Sequence, residues 1–407
     1  MELHRVEVVV LGGGPAGAVT AGLLSRAGVD VVVLEREIFP RFTLGESLTP
    51  GSVAVLDALD LGPVLEDRYL ASHGVTLSCS RSGRTQRFAY DEAFTPVAAA
   101  GYQVPRADFD DLLLKTAVRF GATAHMACEV EDVLFEQGRA RGVRARFRDG
   151  HTEGFLASVI VDATGRDTLI AARKGETHPL DGLDRGVLSA HFQRVNRHSA
   201  PAEGDTDIVL SPHGWVWNVP FDGEVNSVGA VCSAAWLAAR GRGESLEAFF
   251  ARTIDDAEAA RTMLSAATRL TPVRAASQLA FSVEHLAGDG WVAVGDAAGF
   301  VDPLFSSGTH LAITGGAEAA RVITDALGAR DFSAARFDAY ARRVSGARDL
   351  YLGAVRAFYS GDLSDEALDA RGRAARQPFA SLVAGDVMGD DPPWRAECRA
   401  RWGLQSG

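Results

Sequence analysis

Val6-Glu7-Val8-Val9-Val10-Leu11 runs directly into Gly12-Gly13-Gly14-Pro15-Ala16-Gly17, so a short apolar segment rich in β-branched residues meets a Gly-x-Gly-x-x-Gly turn. The first piece reads as a buried strand, and the turn must open a helix. Ala18 to Ala27 supplies that helix with small and apolar residues, Gly28 stops it, and Val29-Asp30-Val31-Val32-Val33-Leu34 is a second strand closing with Glu35. Together they form a βαβ unit.

The residue types explain the chemistry. Gly12 permits the tight turn, Gly14 lets backbone approach a pyrophosphate, and Gly17, after Ala16, lets helix and strand pack closely. The helix N-terminus then points free N–H groups and partial positive charge at the phosphates. Glu35 is placed to accept from ribose hydroxyls. These features predict dinucleotide binding, and the motif alone does not separate FAD from NAD.

The chain has 407 residues, enough for about two to three domains. Its net charge of −12 argues against nucleic-acid binding. Lysine is scarce, with only Lys115 and Lys174. Cys79, Cys128, Cys232 and Cys398 lack the spacing of a zinc site or a disulfide scaffold, so they read as packing residues in a reducing compartment. No metal site is expected. The first strand begins almost at once, without a leader, and no apolar run reaches the ~18 residues of a membrane span. A cytoplasmic protein without a membrane partner is expected.

Further along, Pro40-Arg41-Phe42-Thr43-Leu44-Gly45-Glu46-Ser47-Leu48-Thr49-Pro50 is an extended segment leading into a helix through Val53, Leu56 and Leu59. It resembles the P-R-x-x-x-G-E-S-L-x-P signature of flavin-dependent halogenases and their monooxygenase relatives. That resemblance implies FAD as cofactor, with contacts at Arg41, Glu46 and Ser47; Arg36 is grouped with them.

Val75–Ser80 and Thr85–Tyr90 read as a hairpin, and Arg106 opens a helix with acids in its first turn. In similar glutathione-reductase-like flavoproteins the arginine there reaches the flavin; a plain surface charge is the other reading. Gly121 to Phe155 reads as strands turning at Gln137-Gly138 and Asp149-Gly150. Ala157 to Gly165 is a buried strand ending in Asp162-Ala163-Thr164-Gly165, similar to the D-A-[S/T]-G that closes part of the FAD domain in these enzymes. From Leu188 to Val231 the pattern is β-rich, and Ser245–Ala267 is helical. Strand, turn and helix start at Gly290–Gly299 place Asp296 where similar flavoproteins hold the ribityl chain. From Gly315 onward amphipathic helix dominates, either roofing a cavity or packing on the sheet.

Gly214-Trp215-Val216-Trp217-Asn218-Val219-Pro220 resembles the halogenase W-x-W-x-I-P motif, with Val219 for isoleucine. Asp302-Pro303-Leu304-Phe305-Ser306-Ser307-Gly308-Thr309-His310-Leu311-Ala312 resembles the D-P-x-F-S-S-G-x-H-L-A string. Pro303 forces a turn, and Gly308-Thr309 opens a helix whose N–H groups can bind an anion or an oxygen. Pro303, Gly308 and Thr309 are thus cofactor positions. Trp215, Trp217 and Phe305 are expected in the substrate cavity, core packing being the alternative for the tryptophans.

The resemblance has a gap. Halogenases carry a lysine downstream of G-E-S-L, often just before a glycine, and here that region reads Tyr69-Leu70-Ala71-Ser72-His73-Gly74-Val75. The expected activity is therefore FAD-dependent monooxygenation of an electron-rich aromatic through a flavin C4a-hydroperoxide. His73, Ser72, Glu46 and His310 are the catalytic candidates, with Asp302 also titratable. Halogenation with a displaced activating residue and a catalytically silent flavin-binding maturation role are the alternatives. With one Gly-x-Gly-x-x-Gly, a separate flavin reductase is an expected partner. Lysine-lacking relatives that hydroxylate a protein-bound tryptophan in tryptophylquinone maturation suggest, by resemblance, either a small aromatic or a tryptophan-containing protein as substrate.

The expected fold class is α/β. A Rossmann-like FAD domain of glutathione-reductase type comprises residues 1–75, 100–175 and 270–330, a β-rich substrate domain comprises 76–99 and 176–269, and a helical region comprises 331–407.

Overall fold

The computed structural model describes residues 2–95, 98–277, 279–388, 394–396 and 398. Its centre is the strand Glu2–Leu11, whose Val8–Leu11 end is fully buried. A β-branched strand buried on both faces is the mark of a parallel sheet. Val31–Glu35 runs parallel on one side and Thr152–Asp162 on the other, with Thr123–Met126 and Trp291–Ala293 extending the two flanks. Ala287–Gly288 adds an antiparallel edge. Cys128–Glu136 and Arg139–Phe147 form antiparallel strands that lead into Thr152–Asp162, turning where Gln137-Gly138 and Asp149-Gly150 predict. The helices Pro15–Arg26, Arg106–Arg119 and Ser307–Ala329 pack with this sheet in one core.

A second sheet carries, in order, Thr268–Arg269, Arg185–Gln193, Val225–Ser233, Gly214–Pro220, Thr206–Ser211, Gly74–Cys79 and Thr85–Ala89. The hairpin near residue 75 thus joins it through Gly74–Cys79, which runs parallel to Thr206–Ser211. Arg274–Ser277 also pairs with Arg185–Gln193, so this sheet extends past the expected boundary at 270. The helix expected over 245–267 is two helices, Leu246–Asp255 and Glu258–Met263, separated by the buried, extended Ala257. Helices Ala334–Ser360, Asp362–Asp369 and Arg373–Ala384 cover the inner face of the second sheet, joining Trp215, Trp217, Tyr351, Phe358 and Phe379 in one core. No helix among the described residues is long and apolar enough to cross a membrane.

Candidate active site

Between the sheets lies a cavity of about 1280 Å³, running from the Gly12–Ala16 turn to Trp215 and Trp217. It exceeds the about 300–1,000 Å³ that suits one drug-sized ligand, and so offers room for a dinucleotide with a second molecule.

At the first end the glycines divide into two kinds. Gly12 has φ +108°, and a Cβ there would fall 2.4 Å from the Ala163 carbonyl oxygen; one on Gly17 would fall 2.0 Å from the Gly12 carbonyl oxygen. Both positions exclude a side chain for reasons internal to the fold. Gly14 differs: it caps helix Pro15–Arg26 in an extended conformation, and its nearest neighbour to an added Cβ is Arg41 Nη2 at 3.5 Å. Nothing among the described residues demands glycine there, which fits a requirement from outside the protein, namely close approach of a phosphate. The helix start has no side-chain cap, leaving its first N–H groups for such a ligand.

Glu35 is buried at the end of its strand, where Gly13 N–H donates to Oε2 at 2.6 Å and Glu37 N–H to Oε1 at 2.8 Å. Its carboxylate therefore also holds the glycine turn in shape. Arg36 pairs with Asp167 at the cavity mouth. Arg41 donates to Asp110 at 3.0 Å, and the buried Arg106 grips the same carboxylate with Nε at 2.7 Å and Nη2 at 3.0 Å. That fork spends only part of Arg106: its Nη1 reaches the Leu44 and Gly45 carbonyls. Thr309 donates to the Gly45 carbonyl at 2.9 Å, so the extended segment and the helix Ser307–Ala329 are tied beside the cavity.

Ser47, Pro303 and Gly308 line the same wall. Asp296 lines it too, and its side chain makes no hydrogen bond among the described residues. Desolvation raises its carboxyl above the ordinary range, opposed by Arg166 and Arg106. A cavity-facing carboxylate in that state fits a hydroxyl-bearing ligand such as a ribityl chain. Open glycine, uncapped helix and unpartnered acid together fit FAD.

The far end is apolar with few polar groups. Trp215 and Trp217, two apart on one strand, share the inward face. Trp217 faces Gly229 across the strand pair, and a Cβ there would lie 2.1 Å from the indole, so the ring covers the glycine. Glu46 is buried in the wall, with Oε1 2.9 Å from His191 Nε2. Asp302 accepts from Leu304 N–H at 3.0 Å and from the Tyr359 hydroxyl at 2.9 Å; burial pushes its carboxyl up to about 6.

Four expected site residues are placed elsewhere. Ser72 and His73 are successive residues of extended chain and point opposite ways. Ser72 turns inward but meets the Tyr90 hydroxyl at 3.2 Å, while His73 is exposed, its N–H bonded to Asp205 and its ring near the Ala99 carbonyl. Neither lines the large cavity. His310 lies on the other side of its helix, against a separate cavity of about 460 Å³ that includes Gly51 and Gly385. There Nδ1 meets the Thr49 and Ser52 hydroxyls, both at 3.0 Å, and burial pushes the imidazole down to about 3. Phe305 packs among Tyr351, Phe358 and Phe379 in the core behind the wall. Lys115 pairs with Asp111 on an exposed helix face, and Lys174 lies over Trp291; neither lines the cavity.

His191, Tyr359 and Arg185 are the polar residues that sequence reasoning passed over. His191 sits in a strand of alternating pattern, and its only signal was that an inward-facing histidine needs a partner. Tyr359 is one aromatic among several on a long helix, and nothing in the local pattern marks it out.

The sequence profile of the tryptophan halogenase family matches residues 7–80 and 66–368. The 1H-pyrrole-2-carbonyl-(peptidyl-carrier protein) chlorinase of Pseudomonas fluorescens is 28% identical over 369 residues, covering 84% of this chain and 80% of that protein. Among solved structures, the myxobacterial chondrochloren halogenase CndH, described as a new variant of FAD-dependent halogenases, is 31% identical. Its TM-score is 0.83, with 96% of this chain and 92% of that one covered. The flavin-dependent brominase Bmp2 is 25% identical with a TM-score of 0.86, and 98% of each chain is covered.

Proposed function

This chain belongs to the tryptophan halogenase family of flavin-dependent oxidoreductases, and from that premise we propose that it oxidises an electron-rich aromatic ring by transferring oxygen rather than halogen. Its cofactor is FAD. The observation that carries the proposal is the absence of a lysine from the cavity: the chain has two, both outside it, and the segment where the family resemblance expects one offers a buried serine closed off by Tyr90.

When bound and reduced, FAD supplies the two electrons that activate O2; one oxygen atom goes to the ring and the other leaves as water. The chain's own residues bind and orient. Gly14 and the uncapped helix start would take the pyrophosphate, Arg106 and Thr309 hold the Leu44–Gly45 segment beside the cavity, and Asp296 would take a hydroxyl. The Trp215 and Trp217 wall excludes water and offers an aromatic face to a flat substrate. Glu46, with His191 against its Oε1, is the group that holds or moves the ring proton.

The substrate class is an electron-rich aromatic, indole-type rings included, either free or presented on a protein. A relative named for a pyrrole carried on a peptidyl-carrier protein supports the presented form, and the single Gly-x-Gly-x-x-Gly supports a separate flavin reductase as the source of reduced cofactor.

A second reading, halogenation without the usual lysine, is favoured by the relatives named as a chlorinase and a brominase over most of this chain. Steady-state turnover with reduced FAD, O2 and graded bromide separates the two. Oxygen transfer predicts a rate and product independent of bromide; a brominated product supports the second reading, and peroxide alone supports a catalytically silent flavoprotein.

A further inference from the structure

Tyr359, in the last turn of helix Ala334–Ser360, has a hydroxyl at the middle of a buried chain. It accepts from the Trp215 indole Nε1–H at 2.9 Å and donates to Asp302 Oδ2 at 2.9 Å. Asp302 Oδ1 accepts from Leu304 N–H at 3.0 Å, and its main-chain carbonyl accepts from the Ser307 hydroxyl at 2.9 Å. Arg185, from the neighbouring sheet, lies with its guanidinium 3.4 Å from the Tyr359 ring centroid. Its Nε has no hydrogen-bond partner among the described residues, so the stacking on Tyr359 is its evident anchor.

The direction of each bond is fixed. An indole N–H can only donate, so the Tyr359 oxygen must accept from it, and the one phenolic proton then goes to the carboxylate. The chain joins three parts of the molecule: the tryptophan strand, the loop ahead of helix Ser307–Ala329, and the helical layer. Trp215, Pro303 and Leu304 line the cavity, whereas Tyr359 and Arg185 stand behind it. A side chain that does not reach the cavity thus ties together two of its walls.

We propose that Tyr359 is a positioning residue for the oxidation: it fixes the Trp215 indole against the Asp302–Ser306 loop, and thereby sets how much of the oxidising equivalent reaches substrate instead of escaping as hydrogen peroxide. This rests on the reading that FAD and O2 react in this cavity, and not on which group is transferred. In the leak, O2 takes two electrons and two protons from reduced FAD and leaves as H2O2, with no substrate atom oxidised. Removing the phenolic oxygen leaves the indole N–H and a carboxylate oxygen unpaired in a buried place, which frees the ring to move.

The test uses the FAD-loaded full chain as wild type, Tyr359→Phe, Trp215→Phe and the double variant, with peroxide counted per reduced flavin consumed. Tryptophan emission is recorded in parallel as a readout independent of turnover. Tyr359→Phe is expected to raise the peroxide fraction several-fold and shift the Trp215 part of the emission to the red. Trp215→Phe is expected to raise the fraction alone, and the double variant to add nothing beyond the larger single effect. An unchanged peroxide fraction, or additive effects, overturns the proposal. Should Tyr359→Phe fail to fold, Trp215→Phe carries the test, since it removes the N–H and leaves the Tyr359–Asp302 bond; an unchanged fraction there overturns it equally. A wild type that consumes no oxygen overturns both this inference and the functional reading, whereas a halogenated product overturns only oxygen transfer.

Discussion

The Ser72 hydroxyl lies 3.2 Å from the Tyr90 hydroxyl, both residues are buried, and Ser72 Oγ also lies 3.2 Å from the Gly74 carbonyl oxygen. The place where the family resemblance expects an ammonium is thus filled and closed. Ser72→Lys should therefore be poorly accommodated, because four methylenes and a charge enter a packed site, and a loss of about 3 kcal/mol is expected from overpacking and the unpaired charge. Urea unfolding of the two proteins measures it. Equal stability would show that the site opens readily to an amine.

The two kinds of glycine give a second prediction. Gly14→Val should leave the fold intact while abolishing FAD retention, since among the described residues its Cβ would come near only the end of Arg41. Gly12→Ala and Gly17→Ala should instead lower thermal stability even without cofactor, because their Cβ atoms meet backbone oxygens. FAD content and apoprotein melting separate the two classes. Full FAD content in Gly14→Val would refute the placement of the pyrophosphate.

Asp296→Ala removes one polar anchor and no backbone feature. It should weaken FAD binding by about tenfold, the effect of roughly one hydrogen bond to a charged group, and should leave the unliganded protein at least as stable because a desolvated carboxylate is removed. Equilibrium titration with FAD checks the first part. Unaltered affinity would remove Asp296 from the site.

The buried imidazole of His310 predicts a pH effect. Its folded-state value of about 3 lies below the ordinary 6.5, so on acidification the unfolded chain takes up this proton first. The stabilisation is complete above pH ~6.5 and is lost as pH falls toward 3, by up to about 1.4 kcal/mol per pH unit. Asp302, raised to about 6 from 3.8, acts in the opposite sense between those values: its folded form holds the proton longer, so its contribution rises on acidification. The His310 share is therefore isolated with a non-titrating variant. Between pH 7 and 5, His310→Gln should lose less stability than wild type in urea unfolding; parallel curves would contradict the burial argument.

Glu46→Gln should keep FAD and lose about 10²–10⁴-fold in turnover if Glu46 moves the ring proton, and His191→Gln, which removes the partner of its Oε1, should lower turnover less. Turnover at the wild-type level in Glu46→Gln would remove it from the chemistry.

Legibility in the sequence followed the range of the forces involved. The strand before Gly12, the helix after it, the hairpin at Ser82-Gly83 and the turn at Asp149-Gly150 depend on neighbours within a few residues, and local pattern located them. The inward pair Trp215 and Trp217 follows from strand pleat alone. Contacts such as Glu46 with His191 and Trp215 with Tyr359 join residues 145 and 144 apart, and no local pattern encodes them. His310 shows the same limit within one helix: Thr309 faces the large cavity and His310 the small one, a distinction that depends on which elements pack on each side. Ser72 and His73 stand where the resemblance expects a lysine, and Tyr90 meets Ser72 because the hairpin pairs Gly74 with Ala89 and Tyr90 N–H bonds the His73 carbonyl, a side-chain contact that the strand pattern alone does not specify.

The most direct test of oxygen transfer is mass spectrometry of the product formed under ¹⁸O2 in the presence of bromide, with FAD, a flavin reductase and an indole-type substrate. Oxygen transfer from O2 predicts one ¹⁸O atom in the product and no bromine. A brominated product, or a hydroxylated one whose oxygen comes from water, would contradict it.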